Sequence, residues 1–134
     1  MRINVKDQDF AIYRKILIKA NGESKEINVP IVAIECKTYI DKTMLEGAIA
    51  TAEKFKNGNP YCLYVVVTET YGVSYDVDPA YSRIDQIYVL RKGKMTDNPI
   101  DYEVVKDLFS FVKNHLERDW SDIKKRLETE GKIL

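Results

Sequence analysis

Glu35 and Lys37 lie at the end of an apolar stretch of the sequence, residues 31–38, that reads "IVAIECKT". Because side chains of a β-strand alternate between its two faces, Glu35 and Lys37 should project to the same face, about 7 Å apart. A carboxylate at such a place can bind a magnesium ion, and an ammonium can hold an attacking water or a phosphate oxygen. This pair is therefore suited to phosphoryl chemistry.

A magnesium site of this kind calls for a second carboxylate, because the ion usually takes one or two carboxylates together with water and phosphate oxygens. Asp9 stands directly before the preceding strand-like run. A hairpin that turns at residues 22–24 places Lys37 opposite Asp9, beside the polar end of the second strand. Asp7 has the same parity and would replace Asp9 if the strands paired in a shifted register.

The Glu-x-Lys triplet by itself has little specificity in a chain this rich in charge. It also occurs as Glu23-Ser-Lys25, in the predicted turn, and as Glu130-Gly-Lys132, near the last residue, where charges are solvated. Only the triplet at Glu35 closes an apolar strand. A second interpretation remains open for it, namely a surface ion pair on an edge strand, where charged side chains discourage aggregation.

The elements that position these residues begin with two strands. Residues 10–18 are rich in β-branched and aromatic side chains, and Asn21-Gly22 is a strong hairpin signal that leads back into the strand ending at Lys37. Residues 61–68 are apolar at both odd and even positions, as in a central strand that is covered on both faces. Residues 84–90 form a further predicted strand.

Three helices complete the prediction. Apolar residues recur at helical spacing from Asp41 until Asn57-Gly58, which ends the first helix. A second helix is predicted to start at Asn98-Pro99, and a short third one to end near Gly131. The fold class is thus α/β, with a mixed central β-sheet of about four strands flanked by helices, in one domain spanning residues 1–134.

Composition narrows the functional classes. The chain has 134 residues, of which 45% are hydrophobic, and its 21 basic and 21 acidic residues leave no net charge, which does not favour a general nucleic-acid or membrane-surface binder. No apolar run is long enough to cross a bilayer and the first residues do not resemble a signal peptide, so a cytoplasmic protein is expected. Cys36 and Cys62 are expected to be buried core residues.

The order of these elements resembles the PD-(D/E)xK nuclease superfamily, and in particular type II restriction endonucleases. The matching segments are "QDFAIYRKILI", "VPIVAIECKTY" and "DKTMLEGAIATAEKFK", followed by the buried strand "YCLYVVVTE". They comprise an acid before a strand, a hairpin, a hydrophobic strand ending in Glu-x-Lys, and an amphipathic helix. The resemblance covers residues 9–90 and implies a restriction endonuclease-like core.

The resemblance implies roles for individual residues. Asp9 and Glu35 would bind Mg²⁺, or Mn²⁺ in its place, with the backbone carbonyl of Cys36 as a further ligand. Lys37 would help to activate the water that hydrolyses a phosphodiester bond. The implied protein is a magnesium-dependent DNA endonuclease, and the alternatives are a repair or recombination nuclease of the same superfamily, or a non-catalytic interaction domain with this fold.

Two accessory residues lie on the helix that follows. Related nucleases sometimes carry an additional acid there, for which Glu46 is the candidate, but Thr43 and Glu46 also match a capping box that needs no metal. Lys42 is placed to reach a phosphate, although a lysine near a helix start is more often solvated.

The sequence departs from the superfamily pattern in three ways. Gln8 replaces the proline before the acid, the separation 35 − 9 = 26 residues is long, and the helix that usually precedes the first strand has no room. The last departure implies a fragment or one module of a larger enzyme. Because DNA affinity comes largely from Lys and Arg that neutralise phosphates, a neutral chain acting on double-stranded DNA should form a homodimer or rely on a further domain or subunit.

Overall fold

A hairpin of two long antiparallel strands, β1 (Phe10–Ala20) and β2 (Glu23–Ile40), opens the fold. The computed structural model describes residues 9–93, 97–118 and 122–133, so Asp7 lies outside the described residues. The turn is centred on Asn21 and Gly22, which both have positive φ, of 53° and 78°. A two-residue turn with positive φ at both positions matches the twist of the strands, and it replaces the predicted turn at residues 22–24.

A β-bulge at Ile31 changes the register within this hairpin. From the turn to the Tyr13–Pro30 pair, the numbers of paired residues add to 43, whereas from the Ile12–Val32 pair onward they add to 44. The extra residue brings Asp9 level with Glu35, since 44 − 9 = 35; without it Asp9 would be level with Ile34, on the opposite face. The predicted pairing of Asp9 with Lys37 is therefore wrong by two positions, although its parity is right.

Helix α1 (Lys42–Gly58) follows β2 after a single residue. That residue, Asp41, is the N-cap, and its carboxylate accepts a hydrogen bond of 2.8 Å from the backbone N–H of Met44. The predicted capping box of Thr43 and Glu46 is thus wrong, because the helix already begins at Lys42. Asp41 satisfies an N–H group that would otherwise have no partner in the first turn.

Asp41→Ala is expected to lower the free energy of unfolding by about 1 kcal/mol, because the N–H of Met44 loses its acceptor. Thr43→Ala, at an exposed position in the same turn, should change it by less than about 0.5 kcal/mol. Urea denaturation of both variants and the parent measures the difference. A larger loss for Thr43→Ala than for Asp41→Ala would contradict the assignment of the cap.

The sheet has four strands in the order β1-β2-β3-β4, where β3 is Leu63–Tyr71 and β4 is Gln86–Val89. β2 pairs with β3 in parallel, and β3 pairs with β4 in parallel, so the predicted mixed sheet is confirmed. Residues of β3 alternate between two hydrophobic clusters, with Tyr64 and Val66 on the α1 side and Leu63, Val65 and Val67 on the other. Both faces of this strand are covered, as its continuous apolar sequence predicted.

The second face of the sheet is covered by α2 (Tyr102–Glu117), whose apolar stripe packs on the cluster that contains Val65 and Tyr88. The predicted start at Pro99 is wrong: Asp101 caps this helix by accepting a hydrogen bond from the N–H of Glu103. A short helix, α3 (Ile123–Glu130), ends at Gly131 in the left-handed conformation. Within the described ranges, no helix is both long and apolar enough to span a membrane.

Candidate active site

The carboxylate of Asp9 is fixed to the C-terminal part of β2. Its Oδ2 atom accepts a hydrogen bond of 2.7 Å from the backbone N–H of Cys36. Asp9 immediately precedes β1, and the bulged register of the hairpin brings it to this height. The structure therefore joins the upstream acid to the Glu-x-Lys segment, with one oxygen of Asp9 engaged by the backbone.

Glu35 and Lys37 lie on the face of β2 that packs against α1, because Ala33, two residues earlier, belongs to the hydrophobic cluster on that side. The Nζ atom of Lys37 lies 3.3 Å from Oε1 of Glu35. The Glu35 side chain is only 13% exposed, whereas that of Lys37 is 36% exposed. A largely buried carboxylate with a more exposed ammonium beside it differs from the solvated pair at Lys15 and Glu26, whose side chains are both largely exposed.

Tyr64 completes the surroundings of Glu35. Its hydroxyl donates a hydrogen bond of 2.7 Å to Oε2 of Glu35, and its side chain is fully buried in β3. The apolar pattern of residues 61–68 predicts only a core strand for Tyr64. The signal that identifies it is the hydroxyl itself, because a tyrosine in a buried strand needs a polar partner.

Cys36 is exposed, whereas Cys62 is buried as predicted. The prediction for Cys36 is wrong because the helix-covered part of its face ends at Ile34, which packs against the α2-side cluster. Partial desolvation of the thiol, and then the negative charges of Asp9 and Glu35, raise the pKa of Cys36. Both carboxylates thus lie close enough to Cys36 for their charges to act on its thiol.

The two accessory candidates, Glu46 and Lys42, lie on α1. Glu46 and Lys42 are both exposed on the first turns of α1. The pKa of Asp76 is lowered chiefly by a hydrogen bond from Ser74, and the charge of Lys42 contributes more weakly. Neither residue has a contact with Glu35 or Lys37 among the hydrogen bonds and ion pairs of the described residues.

The oxygen atoms at this point suit a hard divalent cation. The side chains of Asp9 and Glu35 supply carboxylate oxygens, and Mg²⁺ commonly takes only one or two carboxylates and keeps several waters. Within the described part of the chain, no cluster of three or more His, Cys, Asp or Glu side chains is placed to hold a metal. The donor set therefore fits Mg²⁺ or Mn²⁺ better than zinc, which prefers four nitrogen or sulfur ligands.

The fold is similar to a solved restriction-enzyme structure. A chain of the native BbvCI A2B2 tetramer matches with a TM-score of 0.67 and 32% sequence identity, over 83% of this chain and 47% of that chain. The present chain therefore spans about half the length of the chain it matches. A comparison with curated proteins gave no match.

A family model covers most of the sequence. The Bpu10I restriction endonuclease model matches residues 1–100, which include the hairpin, α1, β3 and β4. The match also includes Asp9, Glu35 and Lys37, and it confirms the resemblance to restriction endonucleases that the sequence indicated. The chain belongs to the Bpu10I restriction endonuclease family.

Proposed function

We propose that the chain is the catalytic module of a magnesium-dependent type II restriction endonuclease that hydrolyses phosphodiester bonds of double-stranded DNA. The observation that carries this proposal is the hydrogen bond from the Cys36 N–H to Asp9, at the same level of the sheet as the Glu35–Lys37 pair. Asp9, from the start of the hairpin, thus meets the strand that carries both Glu35 and Lys37. A surface ion pair alone would not require the aspartate.

Three oxygen donors would hold the cation: the carboxylates of Asp9 and Glu35 and the backbone carbonyl of Cys36. The N–H of Cys36 points toward Asp9, and in an antiparallel pair the N–H and C=O of one residue point to the same neighbouring strand. The carbonyl of Cys36 is therefore directed toward the strand that Asp9 precedes. When bound, Mg²⁺ or Mn²⁺ would neutralise phosphate charge and stabilise the charge that develops on the leaving oxygen.

We assign to Lys37 the positioning of the attacking water. Its ammonium is held 3.3 Å from Glu35 and is exposed enough to donate hydrogen bonds to a water or to a phosphate oxygen. A fixed cation at the place where negative charge develops is worth more than a mobile one, because no reorganisation is needed during the reaction. Asp9 and Glu35 keep the site anionic before DNA and cation arrive.

The assembly is part of the proposal. The chain carries no net charge, whereas binding to a DNA backbone depends on clustered basic residues. It also spans about half of the matched chain, which comes from an A2B2 tetramer. We propose that a second copy, or a further domain or subunit, supplies sequence recognition and the second active site needed to cut both strands.

Cleavage of supercoiled plasmid by the purified chain tests the function. We expect cutting with Mg²⁺ or Mn²⁺ and none with EDTA, together with a rise in melting temperature on adding the cation. Open-circular product would indicate that one active site cuts one strand at a time, and linear product would indicate that two paired active sites cut both strands. If no DNA is cut and no cation shifts the melting temperature, the chain is instead a non-catalytic domain with this fold.

A repair or recombination nuclease of the same superfamily is the second candidate. The family match favours the restriction type. Digestion of a linear phage DNA separates the two, since discrete fragments require a recognition sequence, whereas cutting confined to branched or damaged substrates would favour the second candidate.

A further inference from the structure

Tyr64 is held from two sides, so its hydroxyl has a fixed position. Its backbone N–H donates a hydrogen bond of 2.7 Å to Oδ2 of Asp85, and that oxygen lies 2.5 Å from Nζ of Lys56 on α1. Its ring packs on Phe55 of the same helix, with centroids 6.0 Å apart. Rotation of the side chain would lose the ring contact with Phe55 inside a close-packed core.

The sheet register directs this hydroxyl to Glu35. Tyr64 is paired with Ala33, and in a parallel pair of strands the side chains on one face lie in neighbouring rows. A tyrosine is long enough to extend from the Ala33 row to the next residue of that face, Glu35. The hydrogen bond of 2.7 Å between them is thus a consequence of the central β2–β3 pairing rather than of a mobile loop.

The two oxygens of Glu35 consequently have different surroundings. Oε2 accepts the hydrogen bond from the buried hydroxyl, whereas Oε1 faces the ammonium of Lys37. The first partner is a neutral hydroxyl inside the core, and the second is the ammonium of a partly exposed side chain. Oε1 has the partner that lies toward solvent, so it is the more accessible of the two oxygens to a cation.

We propose that Tyr64 is a positioning residue that restricts Glu35 to one metal-binding oxygen and so favours Mg²⁺ and Mn²⁺ over Ca²⁺. This inference rests on the proposed function. Mg²⁺ requires near-ideal octahedral geometry with single oxygens, whereas Ca²⁺ takes six to eight ligands and commonly binds both oxygens of one carboxylate. A hydroxyl held at Oε2 opposes the binding of a cation through both oxygens of Glu35 and leaves binding through Oε1 alone.

Tyr64→Phe tests this directly, because it removes the hydroxyl and keeps the ring. We expect Mg²⁺ binding, measured by titration calorimetry without DNA, to weaken about 10-fold, as is common when the partner of a metal ligand is removed. Ca²⁺ binding should stay unchanged or tighten, so that the preference for Mg²⁺ over Ca²⁺ falls by about the same factor. Glu35 itself is intact in this variant.

Tyr88→Phe is the matched control. Tyr88 is also a buried strand tyrosine, and its hydroxyl bonds to the carboxylate of Asp107, but it packs in the cluster on the opposite face of the sheet. This variant should keep the Mg²⁺ to Ca²⁺ preference of the parent, although it also removes the hydroxyl of a buried strand tyrosine. The comparison separates an effect on the site from a general effect on stability.

Each outcome decides the inference. A Tyr64→Phe variant with the parent's cation preference would overturn it and leave the proposed function intact, whereas a parent that binds neither cation would overturn both. If Tyr64→Phe does not fold, Tyr64→Met removes the same hydroxyl with a more adaptable side chain. If neither variant folds although Tyr88→Phe does, the hydroxyl serves stability and the inference is wrong.

Discussion

Lys37→Ala is expected to lower the rate of plasmid cleavage by about 10²–10³-fold, the usual cost of removing one preorganised charge from a reaction centre. The ammonium lies beside the largely buried carboxylate of Glu35, where no other cation takes its place among the ion pairs of the described residues. Initial rates of loss of supercoiled DNA at saturating Mg²⁺ measure the effect. Binding of Mg²⁺ should persist, because the variant keeps both carboxylates.

The chain supplies its own controls for this substitution. Lys25→Ala and Lys132→Ala change the lysine of the two other Glu-x-Lys triplets, which lie in the hairpin and near the last residue. Both variants should cut DNA at the rate of the parent and melt at the same temperature. Equal activity of Lys37→Ala and the controls would reduce Glu35 and Lys37 to a structural ion pair.

Asp9→Asn is expected to reduce cleavage by about 100-fold or more and to abolish the rise in melting temperature with Mg²⁺. The cation stabilises the transition state by several kcal/mol, and each 1.36 kcal/mol corresponds to about tenfold in rate. Asparagine still offers an oxygen to the N–H of Cys36, so the hydrogen bond that fixes residue 9 can persist. The lost charge is then the main change.

Two comparisons make this second experiment decisive. Asp9→Ala removes the acceptor as well as the charge, so activity in Asp9→Asn but not in Asp9→Ala would assign Asp9 to holding the backbone of β2. Asp7→Asn addresses the alternative upstream acid and should leave cleavage unchanged. Inactivity of Asp7→Asn beside an active Asp9→Asn would transfer the role of metal ligand to Asp7.

The sequence alone predicts the order of the strands and helices and the common face of Glu35 and Lys37. Periodicity is a local property, so a period of two places Glu35 and Lys37 on one face, and a helical period after Asp41 predicts α1. The continuous apolar run around Val65 likewise predicts a central strand covered on both faces. The mixed sheet and the antiparallel hairpin follow from these patterns and from Asn21-Gly22.

Helix starts were predicted less well. The capping box at Thr43 and the proline at residue 99 are both reasonable start signals, yet Asp41 and Asp101 cap the helices. Several residues near each start have side chains able to cap, and only the path of the chain into the helix decides which one accepts the hydrogen bond. The predicted burial of Cys36 is wrong for a related reason, because the coverage of this strand depends on where the packing of α2 on the sheet ends.

The site itself was only half determined by the sequence. Glu35 and Lys37 are two residues apart, so their proximity is local, whereas Asp9 meets Cys36 across 27 residues and Tyr64 meets Glu35 across 29. The first meeting depends on the bulge at Ile31, and the second on the parallel register of β2 and β3. Strand periodicity fixes the face of a side chain but not its partner along a neighbouring strand, and that alignment is decided by the packing of the whole sheet.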